Sequence, residues 1–93
     1  MFERILKRMQ EQVRTRQYVM TVHADDEMDD DNLTIYDAEE GILTGEILRR
    51  ERDRVTAEWK YWIRGETMDG AEVEEIAKLS PTGKLVIVTV YRP

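Results

Sequence analysis

The amino-acid sequence predicts an α+β fold in which N-terminal helices pack on a four-stranded antiparallel sheet. Apolar residues recur at three- and four-residue steps at the start of the chain, which is typical of helices, and alternate with polar residues from residue 46 onward, which is typical of strands. A chain of 93 residues, of which 41% are hydrophobic, is long enough to bury one core and too short for a second. We therefore expect a single domain over residues 1–93.

Two helices are predicted before the sheet. In residues 2–16 the apolar side chains share one helical face, and they are Phe2, Ile5, Leu6, Met9 and Val13. The second helix is expected over residues 35–43, because Thr34 can cap it, Asp37 stands at its third position and Gly45 follows its end. Between the helices, residues 18–22 are rich in strand-forming residues but few, and residues 23–31 predict one or two helical turns before a loop.

Two hairpins are predicted after the helices. Residues 46–54 and 58–64 form the first pair of strands. Residues 71–79 and 84–91 form the second pair across the sequence SPTG, where proline suits the second turn position and glycine the fourth. The last strand has almost no polar alternation and is therefore expected at the centre of the sheet. Its predicted faces are Leu85, Ile87, Thr89 and Tyr91 on one side and Val86, Val88 and Val90 on the other.

The strand EWKYWIR and the strand before it carry the predicted functional surface. Its apolar face, expected to lie against the helices, is formed by Trp59, Tyr61 and Ile63. The residues predicted to bind RNA are Arg50, Arg52, Arg54, Lys60 and Trp62, with Arg64 beside them. If the register brings the two rows together, cations surround an aromatic ring, which suits contacts with phosphates and bases. A solvated face with cross-strand ion pairs is the alternative.

The charge of the chain is distributed unevenly. The net charge is -6 at pH 7. Residues 1–46 contain five Lys/Arg against twelve Asp/Glu, a net of -7, whereas residues 47–93 contain nine against eight, a net of +1. Because an acidic protein repels nucleic acid at long range, we expect any RNA-binding surface to be a local patch in the second half.

The sole histidine, His23, stands just before an acidic run in which six of the seven residues 25–31 are Asp or Glu. Carboxylates suit magnesium or calcium, but the spacing does not match an EF-hand loop, and the chain has no cysteine for a thiolate zinc site. We therefore expect no bound metal, no cofactor and a solvated acidic segment. Residue type alone favours a packed or surface role for His23.

Neither a membrane span nor a signal peptide is expected. No stretch approaches the roughly 20 apolar residues of a membrane helix. The first residues, MFERILKRMQ, lack the continuous apolar region of a signal peptide. Since the chain also has no cysteine for a disulfide framework, the sequence predicts a cytoplasmic protein.

Four ordered motifs carry a resemblance to a known family: VMTVHADDEM, LTIYDAEEGILTGEI, EWKYWIRGET and AKLSPTGKLVIVTVY. Over about residues 17–92 the chain resembles small bacterial proteins classified as domain of unknown function family 4258. Members of that family resemble RelE-type toxin ribonucleases of the barnase and colicin-nuclease group, whose fold has N-terminal helices on an antiparallel sheet. The resemblance implies RNA and a cognate antitoxin with a zinc-binding segment as partners, and leaves the oligomeric state open.

The resemblance also implies site residues: His23, Arg64, Thr89, Tyr91 and, more weakly, Lys78. In one departure, many relatives have arginine immediately before the methionine of the histidine motif, and this chain has Glu27 there. The implied activity is metal-independent cleavage of RNA. A base takes the proton of a ribose 2′-hydroxyl, the oxygen attacks the adjacent phosphorus, and an acid protonates the leaving 5′-oxygen.

In this interpretation His23 exchanges the proton, since histidine does so near neutral pH. Arg64 and Lys78 stabilise charge on the phosphorus centre, and Arg52 or Lys60 orients the RNA. Two alternatives remain open. One is a non-catalytic module that binds a partner protein through the apolar last strand and Trp62. The other is an inactive relative that keeps the fold.

Overall fold

The computed structural model describes all 93 residues and contains three helices and one five-stranded mixed sheet. The helices are α1 (Glu3–Arg14), α2 (Val22–Asp30) and α3 (Ile35–Leu43). The strands are β1 (Tyr18–Met20), β2 (Glu46–Arg52), β3 (Trp59–Glu66), β4 (Glu72–Leu79) and β5 (Leu85–Tyr91), in the order β1-β5-β4-β3-β2. The α+β class predicted from the sequence is confirmed.

The predicted four-stranded antiparallel sheet is wrong in one respect, because β1 adds a fifth strand. It runs parallel to β5, with Tyr18 opposite Leu85, whereas the other three pairings are antiparallel. A strand of three residues has too little alternation to be recognised, and its partner lies at the other end of the chain. Both predicted hairpins are present, and β5 lies inside the sheet as expected.

Local hydrogen bonds fix the ends of α2 and α3. The capping box predicted for α3 is present: the Asp37 N–H donates to Thr34 Oγ1 at 3.3 Å, and the Thr34 N–H donates to Asp37 Oδ2 at 2.9 Å. Thr21 caps α2 by accepting from the Ala24 N–H at 3.1 Å. Asn32, at φ 54°, ends α2 in the left-handed region and turns the chain toward α3.

Glycines bring α3 into backbone contact with the sheet. A Cβ on Gly65 would overlap the carbonyl oxygen of Gly41, and a Cβ on Gly45 would overlap the same oxygen. Gly45 follows the end of α3, as predicted, and its φ is not positive. Its small size is what the structure requires, because α3 lies directly on β3.

One core lies between the helices and one face of the sheet, here called the covered face. Tyr61 and Ile63 are buried there and Trp59 is half-buried, as predicted. The buried hydrophobic residues are Met9, Val13, Ala24, Met28, Leu33, Ala38, Ile42, Tyr61, Ile63, Val73, Ala77, Leu85, Ile87 and Val90. The other side of the sheet is called the open face. No helix in the structure combines the length and apolar character needed to cross a membrane.

A β-bulge in β2 decides which of its arginines lie on the open face. The register steps from Ile47 opposite Ile63 to Arg49 opposite Trp62, so Leu48 is an extra residue. Beyond such a bulge every side chain of the strand changes face. Without the extra residue, Arg50 would lie opposite Lys60 on the open face.

A second bulge, in β5, also changes which side chains lie on the open face. While β4 advances by one residue, β5 advances from Ile87 to Thr89, so Val88 is extra. Val90 is therefore buried in the core. Thr89 and Tyr91 point to the open face, although simple alternation had grouped them with the buried Ile87. This shift brings two of the predicted site residues onto the surface where Arg64 lies.

Candidate active site on the open face of the sheet

Three neighbouring strands contribute a connected set of side chains at one end of the open face. Tyr91 on β5 lies opposite Glu74 on β4, which lies opposite Arg64 on β3. The Tyr91 hydroxyl donates to Glu74 Oε1 at 2.7 Å, and Arg64 Nη2 and Nε donate to Glu74 Oε2 at 2.9 and 3.2 Å. Glu74 therefore holds the phenol and the guanidinium in fixed positions.

His23 reaches the same end of the sheet from α2. Its Nε2 lies 3.3 Å from Glu27 Oε1, one helical turn away, and its side chain is 68% exposed. The same Glu27 oxygen accepts a hydrogen bond from the Val90 N–H at 3.3 Å, which fixes α2 along the edge of β5. Through Glu27, His23 is connected to the strand end that carries Thr89 and Tyr91. We call His23, Glu27, Tyr91, Glu74 and Arg64 the polar row.

The electrostatics of the polar row fix the charge states of its central groups. The Tyr91 hydrogen bond, followed by that of Arg64, lowers the pKa of Glu74 below its usual range. The Glu74 hydrogen bond raises the pKa of Tyr91, and burial adds to this effect. The same carboxylate raises the pKa of Arg64. At neutral pH the row therefore contains a carboxylate between a neutral phenol and a guanidinium.

The cations of the open face are already paired with carboxylates. Besides its bonds to Glu74, Arg64 lies 3.5 Å from Glu72. It also lines a shallow cavity of about 540 Å³ together with three acidic side chains, Glu46, Glu66 and Glu72. A phosphate that approaches this guanidinium therefore meets carboxylates at Nε and Nη2. The cross-strand ion pairs that the sequence left as an alternative are present.

Lys78 lies on the open face, but not in the polar row. Its ammonium group lies 2.9 Å from Glu58 Oε1, and this contact lowers the pKa of Glu58. Lys78 follows Ala77, which is opposite Tyr61, and so lies near Lys60 rather than Arg64. Four residues of strand, about 13 Å, separate these two ends. The structure therefore divides the predicted catalytic residues into two groups.

The residues predicted to bind RNA are also divided. Arg50 and Arg52 lie opposite Tyr61 and Trp59, on the covered-face side of β2, with their guanidinium carbons 4.0 and 4.3 Å from the Trp59 ring. Arg54 lies beyond the end of β2. The two predicted rows do not come together, because the bulge at Leu48 separates them.

Lys60 and Trp62 remain on the open face. Lys60 lies 3.8 Å from Asp53, and Arg49, which was not predicted, stacks over Trp62 at 3.9 Å from the ring centre. Such cation–π contacts favour Arg49 at this position. No group of three or more His, Asp or Glu side chains is arranged to hold a metal ion.

Comparison with known families adds one finding. A family model described as Domain of unknown function (DUF4258) matches residues 20–92. The chain belongs to this family. The match spans α2 to β5 and includes every member of the polar row. Searches of the curated proteins and of the solved structures each find no significant match.

Two members of the polar row in this DUF4258 protein were not predicted as site residues. Glu27 was noted only as a departure from the arginine of many relatives, yet the four-residue spacing from His23 was a readable signal for a contact within a helix. Glu74 had no local signal, because its role depends on the register that places it between Tyr91 and Arg64. Pairing between strands decided this part of the site.

Proposed function

We propose that this chain is a metal-independent endoribonuclease, acting as the toxin of a bacterial toxin–antitoxin pair, with the polar row as its active centre. One observation supports the proposal most: a tyrosine hydroxyl and an arginine share Glu74 on the open face, and the pair His23–Glu27 contacts the same strand end through the Val90 N–H. Proton transfer and charge stabilisation require these chemical groups. The sequence resemblance to RelE-type ribonucleases agrees with this arrangement.

In the proposed reaction His23 takes the proton of a ribose 2′-hydroxyl. The 2′-oxygen attacks the adjacent phosphorus, and the bond from phosphorus to the 5′-oxygen breaks. The leaving 5′-oxygen receives the proton from the imidazolium, so the products are a 2′,3′-cyclic phosphate and a free 5′-hydroxyl. Glu27 orients the imidazole through its contact with Nε2.

Arg64 and Tyr91 act on the phosphate in this proposal. The phosphate displaces Glu72, which is the longer of the two carboxylate contacts of Arg64, while Glu74 keeps the guanidinium in place. The Tyr91 phenol stays protonated because Glu74 raises its pKa, so it serves as a hydrogen-bond donor. Lys78 and Lys60 lie farther along the open face and would contact the flanking RNA strand.

Cleavage of RNA by the purified full chain tests the proposal. We expect the wild-type protein to cleave single-stranded RNA in the presence of a chelator, and His23→Ala to lose at least about a hundredfold in rate. Asp26→Ala is the matched control, because Asp26 is an exposed residue of the same helix outside the polar row. Equal rates for wild type and His23→Ala, with both folded, would remove His23 from the mechanism.

A cognate antitoxin with a zinc-binding segment is the partner in this proposal. Its effect is measured by expressing the chain with and without the neighbouring reading frame. We expect growth inhibition by the chain alone, relief by co-expression, and no inhibition by His23→Ala. Inhibition that persists in His23→Ala would mean that the chain acts through binding.

The paired cations of the open face favour a second candidate, a non-catalytic module that binds a partner protein. Arg64, Lys60 and Lys78 each already form an ion pair with a carboxylate. Acidic side chains also surround Arg64. A surface of this kind repels RNA at long range. The second candidate predicts that folded wild-type protein cleaves no RNA and that Glu72→Gln, which removes one of these acidic side chains, does not restore cleavage.

A further inference from the structure

A second surface lies at the β1 edge of the sheet, where β1, α2 and the start of α3 enclose an apolar groove of about 470 Å³. Its apolar walls are Met20, Val22, Met28, Leu33 and Ile35. Val22 and Ile35 are 78% and 43% exposed, so part of this apolar surface faces water. Exposed apolar side chains gathered in one groove are typical of a site that binds another molecule.

The groove continues into an unpaired strand edge. β1 is the outer strand of the sheet, and the Thr21 N–H and the Gln17 carbonyl are bonded to β5. Because backbone groups along a parallel pair alternate in direction, the N–H and C=O of Met20 point away from β5. Met20 also lines the groove. An extended peptide could thus pair with β1 and place side chains in the groove at the same time.

The charge at the groove is acidic and uncompensated. Asp25 and Asp29 line the groove one helical turn apart on α2 and form no ion pair within the chain. The last turn of α2 contains no basic residue, although the C-terminal end of a helix favours positive charge. Cationic side chains of a bound molecule would offset both the repulsion between these carboxylates and their unfavourable position on the helix.

We propose that this acidic groove binds an extended, basic segment of another protein, which adds a strand to β1 and inserts apolar side chains between α2 and α3. The groove supplies apolar contact, the strand edge supplies backbone hydrogen bonds, and Asp25 with Asp29 select lysine or arginine. Nucleic acid does not fit, since its phosphates repel these carboxylates. A second copy of the chain would bring two acidic α2 helices together.

A short synthetic peptide with alternating lysine and valine is a suitable probe. It is added to the full chain, and the backbone amide resonances are followed by NMR. We expect shifts confined to β1, α2 and the start of α3, and binding about three- to tenfold weaker for Asp25→Asn/Asp29→Asn. The matched control is Asp26→Asn/Asp30→Asn, which changes the charge equally on exposed residues that do not line the groove.

The probe itself carries two further controls. The same peptide with N-methyl groups on alternate backbone nitrogens cannot pair with β1, and we expect it to bind at least tenfold more weakly. A glutamate-for-lysine version is expected not to bind. The proposal is overturned by equal weakening in the two double variants, by undiminished binding of the N-methylated peptide, by shifts on the open face, or by peptide-independent dimerisation through β1.

Discussion

The two faces of the sheet differ in how their charged side chains are paired. On the covered face a single carboxylate, Glu75, is 1% exposed, and neither of its oxygens has a hydrogen-bond partner. On the open face Arg64 bonds Glu74, and Lys78 bonds Glu58, in exposed or half-buried positions. Close packing sets the stability of the covered face, whereas exposed ion pairs contribute little to stability. The residues of the open face are consequently freer to serve binding or catalysis.

The packing of the covered face should produce the largest effect. We expect Gly65→Ala to lower the free energy of unfolding by about 3 kcal/mol, because the added methyl group overlaps the Gly41 carbonyl oxygen and forces α3 away from β3. Urea unfolding followed by circular dichroism measures the loss.

The matched control for this change is Gly70→Ala. Gly70 has a φ of +85° and no atom near its built Cβ, so the change introduces backbone strain without overlap. We expect it to lower the free energy of unfolding by about 1 kcal/mol. Equal losses for the two glycines would show that the backbone contact between α3 and β3 contributes nothing beyond conformational strain.

The buried carboxyl of Glu75 should produce an effect that depends on pH. Burial raises its pKa in the folded state well above the usual range, so the folded protein holds a proton that the unfolded chain releases. The resulting stability is fully present below the pKa of the unfolded chain and is lost as the pH rises through the pKa of the folded state. Glu75→Gln, which mimics the neutral carboxyl, should keep this stability as the pH rises.

The measurement is the difference in the free energy of unfolding between Glu75→Gln and wild type at several pH values. We expect this difference to be small in acid and to favour the variant by about 1 kcal/mol or more above neutral pH. Lowered carboxyl pKa values, such as that of Asp37, act in the opposite direction but are common to both proteins and cancel. A difference that does not change with pH would contradict the assignment of a neutral buried Glu75.

A substitution on the open face should produce the smallest change in stability, together with a distinct spectroscopic change. Glu74→Gln is expected to alter the free energy of unfolding by less than about 1 kcal/mol. It should also lower the pKa of Tyr91 toward its usual value, because the Glu74 hydrogen bond is the main cause of the upward shift. Phenolate absorbance during titration reports this change, and Tyr91→Phe identifies the signal. An unchanged tyrosine titration would mean that Glu74 does not control Tyr91.

Local sequence patterns predicted the elements whose signals lie within a few residues. The Thr34 capping box, the helix periodicity of α1 and the two hairpins depend on neighbours in the chain, and each is present. β1 was missed as a member of the sheet because it has three residues and pairs with the other end of the chain. Parallel pairing of distant segments has no signature in a short stretch of sequence.

The candidate site was harder to predict, because its composition depends on two bulges. Strict alternation put Thr89 and Tyr91 with the buried Ile87, and only the extra residue in β5 brings them to the open face. The bulge in β2 has the opposite effect on the predicted RNA-binding residues, since it separates Arg50 from Trp62. An alternating pattern does not reveal where one residue is inserted.

The contacts between β5 and the first half of the chain determine the stage of folding at which the polar row forms. The Thr21 N–H bonds the Ile87 carbonyl at 3.0 Å, the Val90 N–H bonds Glu27, and the Arg92 N–H bonds Asp31 at 2.8 Å. Until β5 pairs with β4 and contacts α2, Glu74 lacks Tyr91 and Glu27 lacks the Val90 N–H. The polar row therefore forms only when segments 63 residues apart in the chain come together, and such long-range closure is slow compared with the formation of helices and hairpins.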